Sequence, residues 1–225
     1  MRNSSSSAFR EICREVRARF PSAFGGEGRS SVDRSASDLR SWLSTAPDRK
    51  GVGQLVARPG VPSGSLEALL GLVEETRRRR MRMVWIDPAD CLDPSSAFPE
   101  APRHLLWARG GGLETALRVA DTVLRDENFP FVCLDGALVP AVEWKRVPLD
   151  RWYRLQRIVH RRGTTLLLCT PPLEIPPARW RLVPAPAWSF PSVFSLRPEE
   201  LRAGVALTPE PAVAAAGETG ARAAG

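Results

Sequence analysis

Carboxylates at the ends of apolar runs, and a glycine- and serine-bearing turn ahead of a helical run, are the residues of this chain whose types and spacing could do chemistry. In "RPGVPSGSLEALLG", residues 58 to 71, Gly60, Ser63, Gly64 and Ser65 precede an apolar run opening at Leu66. That is the punctuation of a loop whose backbone N–H groups could cradle a phosphate. "FVCLDG" ends four apolar residues with Asp135, where a carboxylate would help hold Mg²⁺ beside a nucleotide, although an aspartate there is also ordinary turn chemistry. "MVWIDPADCLDP" ends its apolar run with Asp87, and Asp90 and Asp93 follow. Three carboxylates so close could bind a metal, but Pro88 and Pro94 favour a turn that caps the next helix. His104 and His160 have no partner at helical spacing, and Cys13, Cys91, Cys133 and Cys169 have no C-x-x-C spacing. Free, buried thiols are expected, with no metal and no cofactor.

The elements that must position these residues follow from periodicity. From about residue 53, short apolar runs alternate with longer amphipathic ones: "QLVA", 65 to 79, "MRMVWID", "HLLWA", 113 to 126, "FPFVCLD", 149 to 161 and "TTLLLC". Such alternation predicts an α/β fold, a mostly parallel sheet covered by helices, with ligands at the carboxyl ends of the strands. "ARWRLVPA" and "AWSFPSVFSL" read as further strands at an edge, where their prolines are tolerated, and after about residue 203 the Ala, Gly, Pro and Glu composition predicts disorder.

Ahead of this core, Phe9, Ile12, Cys13, Val16 and Phe20 recur at spacings of three and four, one face of an amphipathic helix that Pro21 stops. A Gly/Ser-rich linker follows, so Phe9, Ile12, Val16 and Phe20 are expected to dock on a partner or on the chain itself. The 225 residues, 43% apolar, suit one main domain. Their longest apolar runs fall far short of the roughly 18 residues that cross a bilayer. Glu11 and Glu15 interrupt the Ser/Arg composition of the amino terminus, so it reads as no transit peptide and the protein as cytoplasmic.

Lys and Arg outnumber Asp and Glu by 32 to 25, nearly all as arginine. Guanidinium groups suit phosphate or carboxylate, so nucleic acid or an acidic protein is permitted as partner. The same balance also follows from GC-rich coding. "RRRR" at 77 to 80 reads as the solvated last turn of a helix, whose carbonyl end attracts cations. In "VEWKRVPLDRWYRLQRIVHRR" the rings of Trp144, Trp152 and Tyr153 interleave with Lys145, Arg146, Arg151, Arg154, Arg157, Arg161 and Arg162, a mixture fit for single-stranded DNA. The competing reading puts Trp152, Leu155 and Val159 in the core. "TPPLEIPPARWR" is stiffened by four prolines and reads as a rigid docking segment or as a connector to the edge strands.

Taken in order, "GVGQLVARPGVPSGSLEALLGLVEETRRRRMRMVWIDPADCLDP", "LLWARGGGLETALRVADTVLRDENFPFVCLDG" and "TTLLLC" resemble the RecA-like ATPase core over residues 50 to 175. The resemblance is closest to the ImuA or SulA-like family, accessories of SOS-induced translesion synthesis. Together with the elements read above, it divides the chain into an N-terminal helix over 1–21, a linker with a short helix over 22–50, a RecA-like core over 51–200 and a disordered tail over 201–225. It implies as partners RecA, an ImuB-like protein and an error-prone C-family polymerase.

Laid on the family's G-x-x-x-x-G-K-[ST] loop, Gly60 and Gly64 match the glycines but stand one residue too close. Ser65 replaces the lysine that would neutralise phosphate, and Leu66 the hydroxyl that would bind Mg²⁺. Ala89 stands where active relatives carry a water-polarising glutamate two residues past the strand's aspartate. The resemblance therefore implies a degenerate nucleotide site, Gly60, Ser63, Gly64, Ser65, Leu66, Asp87 and Asp135, in a protein with no hydrolytic activity that works as an adaptor. A weak ATPase in which Arg58 or Arg109 replaces the lysine, and a DNA-binding module, are the alternatives.

Overall fold

The alternating runs fold into an eight-stranded sheet with helices on both faces. The computed structural model describes residues 37–58, 63–93, 97–98 and 102–210. The expected N-terminal helix with Phe9, Ile12, Val16 and Phe20, and the loop glycine Gly60, lie outside the described residues.

The strands are β1 (Ser37–Asp38), β2 (Gly51–Val56), β3 (Met83–Asp87), β4 (Leu105–Arg109), β5 (Phe131–Asp135), β6 (Thr165–Thr170), β7 (Trp180–Pro186) and β8 (Val205–Glu210). The helices are α1 (Leu39–Thr45), α2 (Ser65–Arg78), α3 (Gly112–Val123), α4 (Ala141–Lys145), α5 (Leu149–Arg162) and α6 (Pro198–Ala203). Across the sheet the order is β1-β8-β7-β2-β6-β5-β3-β4. All neighbours from β7 to β4 run parallel, while β8 runs antiparallel to both β7 and β1.

Burial on both faces explains why β3, β5 and β6 read as unbroken apolar runs. Successive side chains enter opposite cores. Val84, Ile86, Val132, Leu134, Leu166 and Leu168 meet Leu113, Ala116 and Leu117 of α3 and Trp152, Leu155 and Val159 of α5. Met83, Trp85, Phe131, Cys133, Leu167 and Cys169 meet Ala68, Leu69, Leu72 and Val73 of α2. The expected α/β class, mostly parallel and helix-covered, with strands at an edge, is what the chain adopts.

Two boundaries are corrected. Residues 187–196 were expected to form a strand, yet Phe190–Phe194 is a 3-10 turn. Pro191 cannot donate to a ladder, and the chain instead turns toward α6, held by Ala187 N–H to Gly204 O at 2.7 Å and the Trp188 indole N–H to Leu201 O at 2.8 Å. The strand falls later: β8 pairs with β7 from Val205↔Pro186 to Glu210↔Arg181, so the sheet passes the boundary expected at 200, and residues 201–210 are no disordered tail. Val205 and Leu207 are buried and alternate with half-buried Ala206 and Thr208, a strand pattern that the surrounding Ala/Pro composition concealed. β7 pairs with β2 only as far as Leu182, so Pro184 and Pro186 fall where no β2 carbonyl awaits an N–H.

Candidate functional site

The loop between β2 and α2 leaves the carboxyl end of a central strand and feeds a helix N-terminus, the place where an anion is favoured. Its described part, from Ser63, carries hydrogen bonds of its own. Gly64 has φ +72°, a conformation other residues rarely adopt, and its carbonyl accepts the Ala68 N–H at 3.0 Å. Ser65 is buried, its hydroxyl 2.7 Å from that of Ser63, and its N–H donates to the Ser63 hydroxyl at 3.3 Å. Leu66 is half exposed and offers no metal ligand. From the side, β7 and β8 close on the loop: a Cβ at Gly64 would stand 3.0 Å from the nearer Val205 methyl and 3.6 Å from Pro184. Neither residue carries a motif, so sequence reasoning had no means of placing them here.

Asp135 ends β5, with β6 between it and the loop strand. It is 7% exposed, and it accepts a long hydrogen bond, 3.4 Å, from Ala137 N–H. Desolvation pushes its carboxyl up to about 6; the Asp87 charge adds to this, while the Ala137 N–H and the Cys169 thiol oppose it. Cys169, on the intervening strand, lies against both Ser65 and Asp135, and burial with the Asp135 charge drives its thiol far up. Cys133 is buried and likewise raised, so both are inert thiols, as expected. Cys91 is exposed rather than buried, and desolvation together with Asp135 and Asp87 raises it to about 12.

Asp87 is fully buried, and its two oxygens are engaged. Oδ1 accepts the Cys91 N–H at 3.2 Å and Oδ2 the Leu92 N–H at 2.9 Å, so the carboxylate ties down the turn after β3. Asp90 faces elsewhere, in a bidentate pair with Arg109 at 2.7 and 2.8 Å. Among the described residues no cluster of His, Cys, Asp or Glu could hold a metal.

Arg109, one of two expected substitutes for the missing lysine, is excluded by topology. It ends β4, four strand positions from β2, about 19 Å at a spacing of ~4.8 Å, beyond the reach of a side chain. It is also held by Asp90 and lies over the Trp107 ring at 4.8 Å. Arg58 stands two residues past β2, exposed. Gln54, unremarked in the sequence, is buried on β2, and its amide donates to Thr170 Oγ1 and to Leu173 O, both at 2.7 Å. That amide anchors the proline-rich segment, whose Ile175 and Ala178 point into the core.

The basic, aromatic stretch separates by face once folded. Trp144 and Trp152 are buried and stack on each other, centroids 5.9 Å apart and planes 4° apart, which removes both rings from any surface. Arg151 pairs with Glu114 at 2.8 Å, and Arg154 with Asp121 at 2.9 Å, fastening α5 to α3. Lys145, Arg146, Arg157 and Arg161 are exposed and make no ion pair among the described residues. In the 77–80 run, Arg78 and Arg79 pair with Glu75, and Arg79 also with Asp48, so this turn is partly neutralised.

Fold and loop define an α/β protein in which a glycine-bearing turn joins a central parallel strand to a helix, with β7 and β8 packed beside it. No protein-family model matches the chain, and no curated protein is significantly similar to it. Among solved structures it is similar to the RadB recombinase, with 15% identity, a TM-score of 0.45, and coverage of 60% of this chain and 74% of that one. Among the described residues no helix is long and apolar enough to cross a membrane.

Proposed function

We propose that this chain is a RecA-like adaptor without ATP hydrolysis, of the ImuA or SulA-like kind, acting in SOS-induced, error-prone translesion synthesis through contacts with RecA, an ImuB-like protein and a C-family polymerase. The observation that carries the reading is the loop at Gly64. Its first helical N–H is bonded to Ser63, its flank is packed by Val205 and Pro184, and Ser65 replaces the cation. A triphosphate has neither a lysine to neutralise it nor an open approach from the β8 side. Asp135 supports the same reading, since a carboxyl group raised to about 6 has no cation beside it. Partner docking surfaces would then act without a nucleotide switch.

The competing reading, a weak ATPase, rests on Arg58, the one expected lysine substitute that the sheet does not move out of range. Isothermal titration with Mg²⁺ and a non-hydrolysable ATP analogue separates the two. The expected result is no heat up to millimolar nucleotide from protein shown to be folded, together with retention of RecA in a pull-down. Micromolar nucleotide binding would put the ATPase reading first, and absence of RecA from the pull-down would remove the adaptor role.

A further inference from the structure

Cations from three separate stretches of chain meet at the amino-terminal ends of β2 and β6. The Gly51 N–H donates to Thr164 O at 3.0 Å, and the Thr165 hydroxyl to Arg49 O at 3.1 Å, so Arg49 and Lys50 lie against the turn that follows α5. The stem of Arg179 lies over Gly51, where an added Cβ would stand 2.9 Å from its Cδ. Arg161, Arg162 and Thr164 line an open cleft of about 250 Å³ beside this junction. Thr164 is 4% exposed, and its hydroxyl oxygen, buried at the cleft, has no hydrogen-bond partner among the described residues.

Charges here do not cancel. Glu127, also lining the cleft, neutralises Arg162, and Asp48 is held by Arg79. Arg49, Lys50, Arg161 and Arg179 are exposed and make no ion pair among the described residues. Like charges held together at a surface repel unless an anion joins them. The carbonyl end of α5 faces the same region and repels anions on its own axis, so the cations must carry any binding.

We propose that this edge binds the sugar-phosphate backbone of nucleic acid. The cations are spread over an open surface rather than closed around one phosphate, which suits a chain of phosphates. Trp180 lies half buried under Arg49, whose guanidinium is 6.0 Å from the ring, so this patch presents no free ring on which a base could stack. Contact is therefore through phosphate, insensitive to base sequence and steeply dependent on salt. The surface lies at the opposite end of β2 from the closed loop, about 20 Å away for six residues at ~3.3 Å each. It goes beyond the adaptor role and stands without it.

The test is fluorescence anisotropy of a labelled mixed-sequence 30-mer, single-stranded and duplex, with the full chain between 50 and 200 mM salt. Lys50→Glu with Arg161→Glu is expected to weaken binding at least tenfold and to flatten the slope of log affinity against log salt by about 1.5 to 2. Arg103→Glu with Arg118→Glu, the same charge change at exposed positions away from this edge, should alter affinity less than twofold. Circular dichroism melting checks that both variants fold. Equal losses in the two variants would reduce the effect to net charge, and no binding by the unaltered chain at 50 mM salt would end the proposal. So would a 30-residue polyglutamate that competes as well as the oligonucleotide, since the surface would then be one for acidic protein.

Discussion

At Asp135 the fold holds a carboxyl group, 7% exposed, against the Cys169 thiol and a long N–H contact, and desolvation lifts it from an ordinary 3.8 to about 6. A carboxyl raised on folding binds its proton more tightly in the native state. The stability linked to it is complete below pH 4 and is lost as pH rises through 6. At pH 7.5 the ionised group therefore opposes folding. Asp135→Asn, which keeps the shape and removes the charge, is expected to raise the unfolding free energy at pH 7.5 by about 2–3 kcal/mol, a gain that shrinks toward zero at pH 4. Denaturant titrations at the two pH values measure it. A loss of stability at pH 7.5 would mean that the charge has a partner in the native state. The aspartate at a strand end was legible in the sequence; its surroundings were not, because Cys169 reaches it only through the pairing of β5 with β6.

α5 shows how one helix divides its sequence among three environments. Trp152, Leu155 and Val159 recur at spacings of three and four and are buried, Arg151 and Arg154 turn to acidic partners on α3, and Tyr153, Arg157 and Arg161 face solvent. The spacing made the buried stripe readable, and one of the two competing sequence readings named it. The division of the cations was not readable, since Glu114 and Asp121 lie more than thirty residues away. The energetic weights differ accordingly. Leu155→Ala should cost about 2–5 kcal/mol, because it opens a cavity under a fully packed helix. Arg154→Ala should cost less than about 1 kcal/mol, because its pair with Asp121 is solvent-screened on the arginine side. Thermal melts of the two variants compare the costs directly. An Arg154→Ala loss matching that of Leu155→Ala would make the α3–α5 ion pairs structural in a way their exposure does not support.

For the whole molecule, β8 is the decisive piece. It joins β1 to the parallel core, buries Val205 and Leu207, and brings a valine against the loop at Gly64. Removing residues 201–225 strips β7 of its antiparallel neighbour and exposes an apolar edge, so the shortened chain is expected to aggregate or melt many degrees lower in light-scattering and calorimetric scans. A shortened chain that melts unchanged would show the sheet to be complete without β8. By itself the sequence determined the α/β class, the places of the core strands and helices and the absence of the loop lysine, because period and residue type are local properties of the chain. Tertiary structure alone decided that Val205 and Pro184 close on the loop, that Arg109 stands four strands too far away, and that Arg49, Lys50, Arg161 and Arg179 share one edge. Those facts depend on which strands lie side by side, and strand order is set by how the apolar faces of distant segments pack together, which no spacing along the chain encodes.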